Sequence, residues 1–155
     1  MLELPQLILL LTALFAGGLS LHVHQLNAYR TASAKFRAAV LTALEGLYPV
    51  PANWPMEAGR INIILREAFP ALQIATAEFK PFVPWWRKRS FENAWYIYRL
   101  GKEGRAIDLQ DYWQYIPTIG FGIENGIQVR NDNTATYKND FKTNVDRLLS
   151  HAKSV

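Results

Sequence analysis

The chain has 155 residues, half of them hydrophobic and 13% aromatic, with no cysteine and a formal net charge of +4. Disordered segments are poor in aromatic residues, so the composition excludes a disordered chain, and the lack of cysteine excludes disulfides, thiolate metal sites and a cysteine nucleophile. All 17 lysines and arginines lie at or after Arg30, which indicates an anionic partner for the later part of the chain.

The first predicted element is a membrane span. The 20 residues from Leu4 to Val23 include no Asp, Glu, Lys or Arg, and a helix of that length extends about 30 Å, the thickness of a bilayer's hydrocarbon core. A secretory signal has a basic start and a cleavage site after small residues. Residues 16–18 could serve as that site, but the opening residues are not basic. We expect a retained transmembrane anchor over residues 1–28 and a soluble domain over residues 29–155, with a cleaved signal as the alternative.

The charges that flank the predicted span indicate its orientation. Arg30, Lys35 and Arg37 follow the span closely, and basic residues near a span favour the cytoplasmic side. We therefore expect a single-pass protein of a bacterial-type inner membrane with its soluble domain in the cytoplasm. An outward-facing domain is the alternative.

Four residues in or next to the span are candidates for special roles. His22 and His24 lie at its end, where an imidazole at headgroup level is hydrated and needs no metal or proton-transfer role. Ala13 and Gly17 are small residues four apart, a spacing that lets two helices approach closely. We expect these two to pack the span against another helix, and a homo-oligomer is one possible result.

Hydrophobic periodicity predicts a mainly α-helical fold for the rest of the chain. The span is expected to continue as one rod to the prolines near Tyr48, because residues 19–45 contain neither glycine nor proline. A bundle of about five helices follows from the apolar stripes, with a small β-hairpin near residues 118–131 that turns at Asn125-Gly126. The predicted helices after the rod cover residues 57–69, 70–79, a stretch capped by Ser90 and stopped by Gly101, a short stretch from Asp108 to Ile116, and a last helix from Asn139 or Asp140 to Ala152.

The strongest local signal combines aromatic and basic residues. Residues 79–105 hold seven basic residues against two acidic ones, a surplus of five. Within them the run Trp85, Trp86, Arg87, Lys88 and Arg89 is typical of a membrane interface, where indoles lie at headgroup level and cations meet anionic lipid. The same residues could stack on nucleic-acid bases, although a membrane tether disfavours nucleic acid. A third possibility is that the tryptophans pack on the bundle and the cations form a hydrated rim.

No catalytic or metal-binding pattern stands out. Asp108 and Asp111 flank aromatic residues and could suggest glycan hydrolysis, but on one short helix they share a face, whereas that chemistry needs carboxylates across a cleft. His151, near the end of the last helix, is expected to complement the helix dipole. We expect no cofactor and no catalytic residue. The sequence favours a binding module with membrane lipid or a protein as partner, with an envelope-facing protein that binds or processes glycans as the alternative.

Overall fold

The computed structural model describes residues 4–51, 54–55, 58–101, 112–124 and 126–153. The chain is mainly helical, as predicted. Its α-helices are α1 (Leu4–Ala43), α2 (Ala58–Phe79), α3 (Trp85–Leu100) and α4 (Tyr137–Leu149). Two strands, β1 (Ile119–Glu124) and β2 (Ile127–Asp132), precede α4, and 3₁₀ turns occur at Lys80–Phe82, Trp113–Tyr115 and Ser150–Ala152.

Helix α1 is one continuous rod, as its lack of internal proline beyond the first turn predicts. It ends at Ala43, after which Gly46 adopts a left-handed backbone with φ 84° and the chain turns toward a cis peptide bond at Tyr48–Pro49. Among the described side chains of the rod, the first buried one is Tyr29, and from there a stripe of side chains three and four residues apart is buried. Before it, every side chain described between Pro5 and Gln25 is exposed. The rod therefore has an exposed N-terminal part and a C-terminal part that belongs to the core.

Among the residues that the structure describes, no helix is both long enough and apolar enough to cross a membrane.

Helix α2 packs along α1 and brings Phe79, near its C-terminal end, into a stack on Phe36 of α1 with ring centroids 4.7 Å apart. The prediction of two helices divided at Pro70 is wrong, because α2 continues through that proline. Its buried stripe runs without interruption from Leu65 to Leu72 across the exposed proline. An interior proline costs a helix about 3 kcal/mol, and burial of one large aliphatic side chain recovers about 1.5–3 kcal/mol, so the packing on both sides holds the helix together.

Helix α3 begins six residues earlier than predicted. Ser90 is not its N-cap, because Pro84 occupies that position and the helix starts at Trp85. The predicted stripe is confirmed at Phe91, Ala94 and Tyr98, which are buried. At the other end the helix stops at Gly101, whose φ of 81° is favoured by glycine.

The predicted number of helices is wrong. The described residues form four α-helices, whereas the prediction was the rod and five further helices, and the region after α3 accounts for part of the difference. Asp108 and Asp111 lie outside the described residues, and the described remainder of the predicted fifth helix is the single 3₁₀ turn Trp113–Tyr115. Within it, Gln114 donates hydrogen bonds to the carbonyls of Tyr98 and Arg99 and so caps the end of α3.

The predicted hairpin is confirmed, with Ile119 paired to Asp132 at its open end and Glu124 paired to Ile127 at its turn. Gly126 has the positive φ that a tight turn requires, and Asn125 lies outside the described residues. The Asn133 side chain ties the base of the hairpin to the chain before it, because it donates to the Ile116 carbonyl and accepts from the Thr118 N–H.

Helix α4 begins at Tyr137, two residues before its predicted start, and packs against α3. Its buried face includes Phe141, whose ring contacts Tyr115 edge to face with centroids 5.1 Å apart. At the end of the chain the turn that contains His151 returns to α1, where the Tyr29 hydroxyl donates to the His151 carbonyl at 2.7 Å. The last helix therefore closes the core beside the point where α1 enters it.

Candidate functional site: an exposed aromatic and basic segment

Residues 80–89 comprise the connection from α2 to α3 and the first five residues of α3, and we call them the 80–89 segment. Its position is fixed by buried anchors: Phe79 before it, Val83 inside it and Phe91 after it are each at most 2% exposed. The predicted lipid-binding residues all lie in its second half. The core thus holds the segment in place and leaves most of its side chains at the surface.

Trp85 and Trp86 are exposed, at 79% and 66% of their surface. The possibility that these indoles pack on the bundle is therefore wrong. They lie edge to face against each other, with centroids 5.8 Å apart. Tryptophan is among the largest apolar side chains, and its removal from water is favourable in proportion to area. Two neighbouring exposed indoles are consequently a surface that gains free energy when a partner covers it.

The three predicted cations differ in their surroundings. Arg87 is half-buried and donates from Nη2 to the Ser150 carbonyl at 3.2 Å, so its charge lies against the C-terminal end of α4. Lys88 is also half-buried and contributes to the lowered pKa of Glu92. Arg89 is exposed, and it makes no hydrogen bond or ion pair with the residues that the structure describes. Arg87 is thus partly structural, whereas Arg89 is available to a partner.

A fourth cation belongs to the same surface. Lys80 forms an ion pair with Glu92 at 2.5 Å, and the hydrogen bond from this lysine lowers the pKa of the Glu92 carboxyl. Because both side chains are about half exposed, the pair contributes little to stability. The 80–89 segment carries four positive charges and no negative charge, and Glu92 beside it adds one negative charge.

The placement of these cations opposes the stability of α3. Arg87, Lys88 and Arg89 follow Trp85 at the start of the helix, and its first turn holds no acidic residue. A helix N-terminus carries a partial positive charge, so a cation in the first turn, such as Arg87 or Lys88, costs about 0.3–1 kcal/mol. The start of α3 therefore combines exposed indoles with cations that its helix dipole disfavours.

The 80–89 segment lies at the end of the domain from which the exposed part of α1 projects. Arg87 contacts Ser150, and the carbonyl of the next residue, His151, accepts the hydrogen bond from Tyr29, the first buried residue of α1. Phe82 also faces α1, because it lines the same groove as His24. Two independent sets of contacts therefore bring the segment to the base of the exposed rod.

The remaining predicted site residues are separate from this surface. Ala13 and Gly17 are exposed on α1, and a Cβ atom at Gly17 would meet nothing within 4 Å. His22 is exposed on the same helix, as is His24 at the groove. In the described ranges, no group of three or more His, Cys, Asp or Glu side chains could hold a metal ion.

Sequence reasoning missed the role of His151. It is 4% exposed and contacts the Phe91 ring edge to face, so it is not the solvent-facing complement to the helix dipole that its position suggested. Burial, and then the positive charge of Arg87, lower the pKa of its imidazole. Arg87 is instead the cation at the end of α4. No signal in the sequence links residue 87 to residue 150, because the contact is tertiary.

Comparisons with protein-family models, with curated proteins and with solved structures find no match to this chain.

Proposed function

We propose that this protein is a single-pass membrane-anchored binding module whose helical domain rests on anionic lipid through the 80–89 segment. The observation that carries the proposal is the position of Trp85 and Trp86, exposed at the end of the domain from which the apolar part of α1 projects. Along that part, large apolar side chains are exposed, among them Leu9 at 70% and Phe15 at 78%. Both apolar surfaces would be covered by one bilayer.

The dimensions of α1 support this arrangement. The uncharged stretch ends at Val23, and Tyr29, where burial begins, lies six residues further along, or about 9 Å of helix. The polar layer on each side of the hydrocarbon core is about 5–8 Å thick. A domain that begins at Tyr29 would therefore lie directly beyond the headgroups, and indoles at that end of the domain would reach them.

The energetics also favour anionic lipid. Each basic residue close to an anionic surface contributes about 1 kcal/mol, and tryptophan is enriched at headgroup level. Arg30, Lys35 and Arg37 follow the uncharged stretch and would orient the domain toward the cytoplasm, whose leaflet is the anionic one. The glycan alternative depends on Asp108 and Asp111, which lie outside the described residues.

Quenching of tryptophan fluorescence by brominated lipid tests the proposal. The full chain would be reconstituted in vesicles of phosphatidylcholine and phosphatidylglycerol with brominated acyl chains. The five tryptophans all lie after residue 50, so the rod itself contributes no signal. If Trp85 and Trp86 contact the bilayer, we expect roughly two fifths of the emission to be quenched, since only indoles at the lipid are close to bromine. The variant with both Trp85→Phe and Trp86→Phe should lose that component.

Trp95→Phe is the matched control, because Trp95 is a half-buried indole on the same helix that stacks on Phe69. Its quenchable component should equal that of the parent. A parent chain that floats with the vesicles while its tryptophans remain unquenched would contradict the proposal.

A further inference from the structure

A groove of about 670 Å³ lies between α1, the C-terminal end of α2 and the 3₁₀ turn Lys80–Phe82. It is lined from His24 to Ala39 along α1, a distance of about 22 Å at the rise of a helix. It therefore starts where the exposed part of α1 ends and follows the rod along the domain. Its volume is within the range of about 300–1,000 Å³ that is usual for sites that hold small ligands.

The inside of the groove is apolar. Phe36 and Phe79, whose rings stack, belong to the core and to the groove lining at once, and Phe82 is 44% exposed beside them. Alanines on both helices widen the groove because they carry only a methyl group. The polar lining consists of His24, Asn27 and Thr31 on α1 and an ion pair between α1 and α2, Lys35–Glu78, at 2.8 Å.

We infer that this groove holds one acyl chain of an anionic phospholipid whose headgroup lies beside the 80–89 segment; the inference rests on the proposed function. Charge complementarity supports this occupant. Phe82, which lines the groove, belongs to a segment with four basic residues and no acidic ones, and anionic headgroups are attracted to such clusters. The apolar lining suits the acyl chain, and the basic segment suits the phosphate.

Lipid retention by the full chain tests the inference. The protein would be purified in mild detergent, mixed with phosphatidylglycerol and examined by native mass spectrometry. We expect one retained lipid per chain in the parent and at least a tenfold lower occupancy in Ala28→Trp, because the indole would fill the groove at a half-exposed position. Ala34→Trp, on an exposed face of the same helix outside the groove, is the matched control and should retain the lipid.

Two further measurements make each outcome decisive. If thermal melting shows that Ala28→Trp is unfolded, Phe82→Ala replaces it. Lower lipid occupancy is again expected, because the partly exposed Phe82 ring would no longer cover the acyl chain. If the parent and a folded groove variant retain the lipid equally, the inference is overturned. If a groove variant also loses self-association while it keeps its lipid, the groove holds a second copy of the protein and the inference is likewise overturned. In Ala28→Trp, a quenched component of the fluorescence that is lost when Trp85→Phe and Trp86→Phe are added comes from Trp85 and Trp86 and not from the new indole, and it supports the proposed function even where the groove inference fails.

Discussion

At the scale of single residues, His151 is an unusual element of the core. Its Nδ1 is buried with no hydrogen-bond partner in the described part of the chain, and a cationic guanidinium from Arg87 acts on it. Burial first, and then this charge, lower its pKa, so the folded protein favours the neutral imidazole. A protonated imidazole at this position would lack compensation for its lost hydration.

This leads to a pH dependence of stability. The unfolded chain binds a proton at His151 near pH 6.5, whereas the folded chain binds it only at lower pH. Between these two pKa values the unfolded state holds more protons, so stability falls as the pH decreases through that window. We expect the Tm of the full chain in detergent to fall between pH 7.5 and pH 5.5, and to fall less in His151→Gln.

His24→Gln is the control, because His24 is an exposed histidine in the same chain. The decrease in its Tm over this pH range should equal that of the parent. A decrease that is the same in His151→Gln and in the parent would show that another group controls the pH dependence.

At the scale of secondary-structure elements, α2 shows that tertiary packing can keep a proline inside a helix. Pro70 is exposed and has no N–H to donate to the carbonyl four residues earlier. We expect Pro70→Ala to raise the free energy of unfolding by about 1–3 kcal/mol, since alanine restores the hydrogen bond and removes the ring clash. Denaturant unfolding of the full chain measures this.

Pro81→Ala is the matched control, because Pro81 lies at the start of a 3₁₀ turn, where no N–H is needed. Its stability should change by only a few tenths of a kcal/mol, from the lost stiffness of the unfolded chain. If Pro70→Ala is also near neutral, α2 must bend at residue 70 in a way that alanine cannot improve.

The elements differ in how well the sequence predicts them. The rod and the hairpin follow from local signals, the absence of breakers in residues 19–45 and the glycine at the turn. The start of α3 does not, because Val83 anchors the chain from the far side of Pro84 and allows the helix to begin with two exposed indoles. Periodicity reports which side chains repeat on a face, but it says nothing about residues that precede the first buried turn.

The sequence predicts which aromatic and basic residues form the candidate site, but not which of them are exposed or what they contact. The exposed fraction of Trp85 and Trp86 depends on which residues cover them, and that is decided by packing between α3, α4 and α1. Likewise, the inward role of Arg87 requires the end of α4 to lie beside the start of α3. The contact between Arg87 and Ser150 spans 63 residues of sequence, beyond the reach of local patterns.

At the scale of the whole molecule, α1 connects two chemically different halves of the protein. The exposed half presents Phe15 and other large apolar side chains, and the other half supplies part of the core. If the exposed half lies in a bilayer, a charge at its centre should cost about 2.5–3.5 kcal/mol. We expect Phe15→Lys to shift the full chain from the membrane pellet to the supernatant after alkaline extraction.

Ala38→Lys provides the comparison, because it adds the same charge at an exposed position of α1 within the domain. The chain with this substitution should stay in the pellet with the parent. Retention of Phe15→Lys at the parent's level would contradict insertion of the rod.

The unbroken backbone of α1 also has a geometric consequence. Each residue of a helix adds a rotation of roughly 100° about the helix axis. The number of residues between the exposed half and Tyr29 therefore sets the direction, around that axis, in which the domain faces. One extra residue there would swing the whole domain, with its tryptophans, by about 100° around the rod while lifting it only about 1.5 Å. A partner that fixes the rotation of the exposed half of α1 therefore also fixes the direction in which the domain faces.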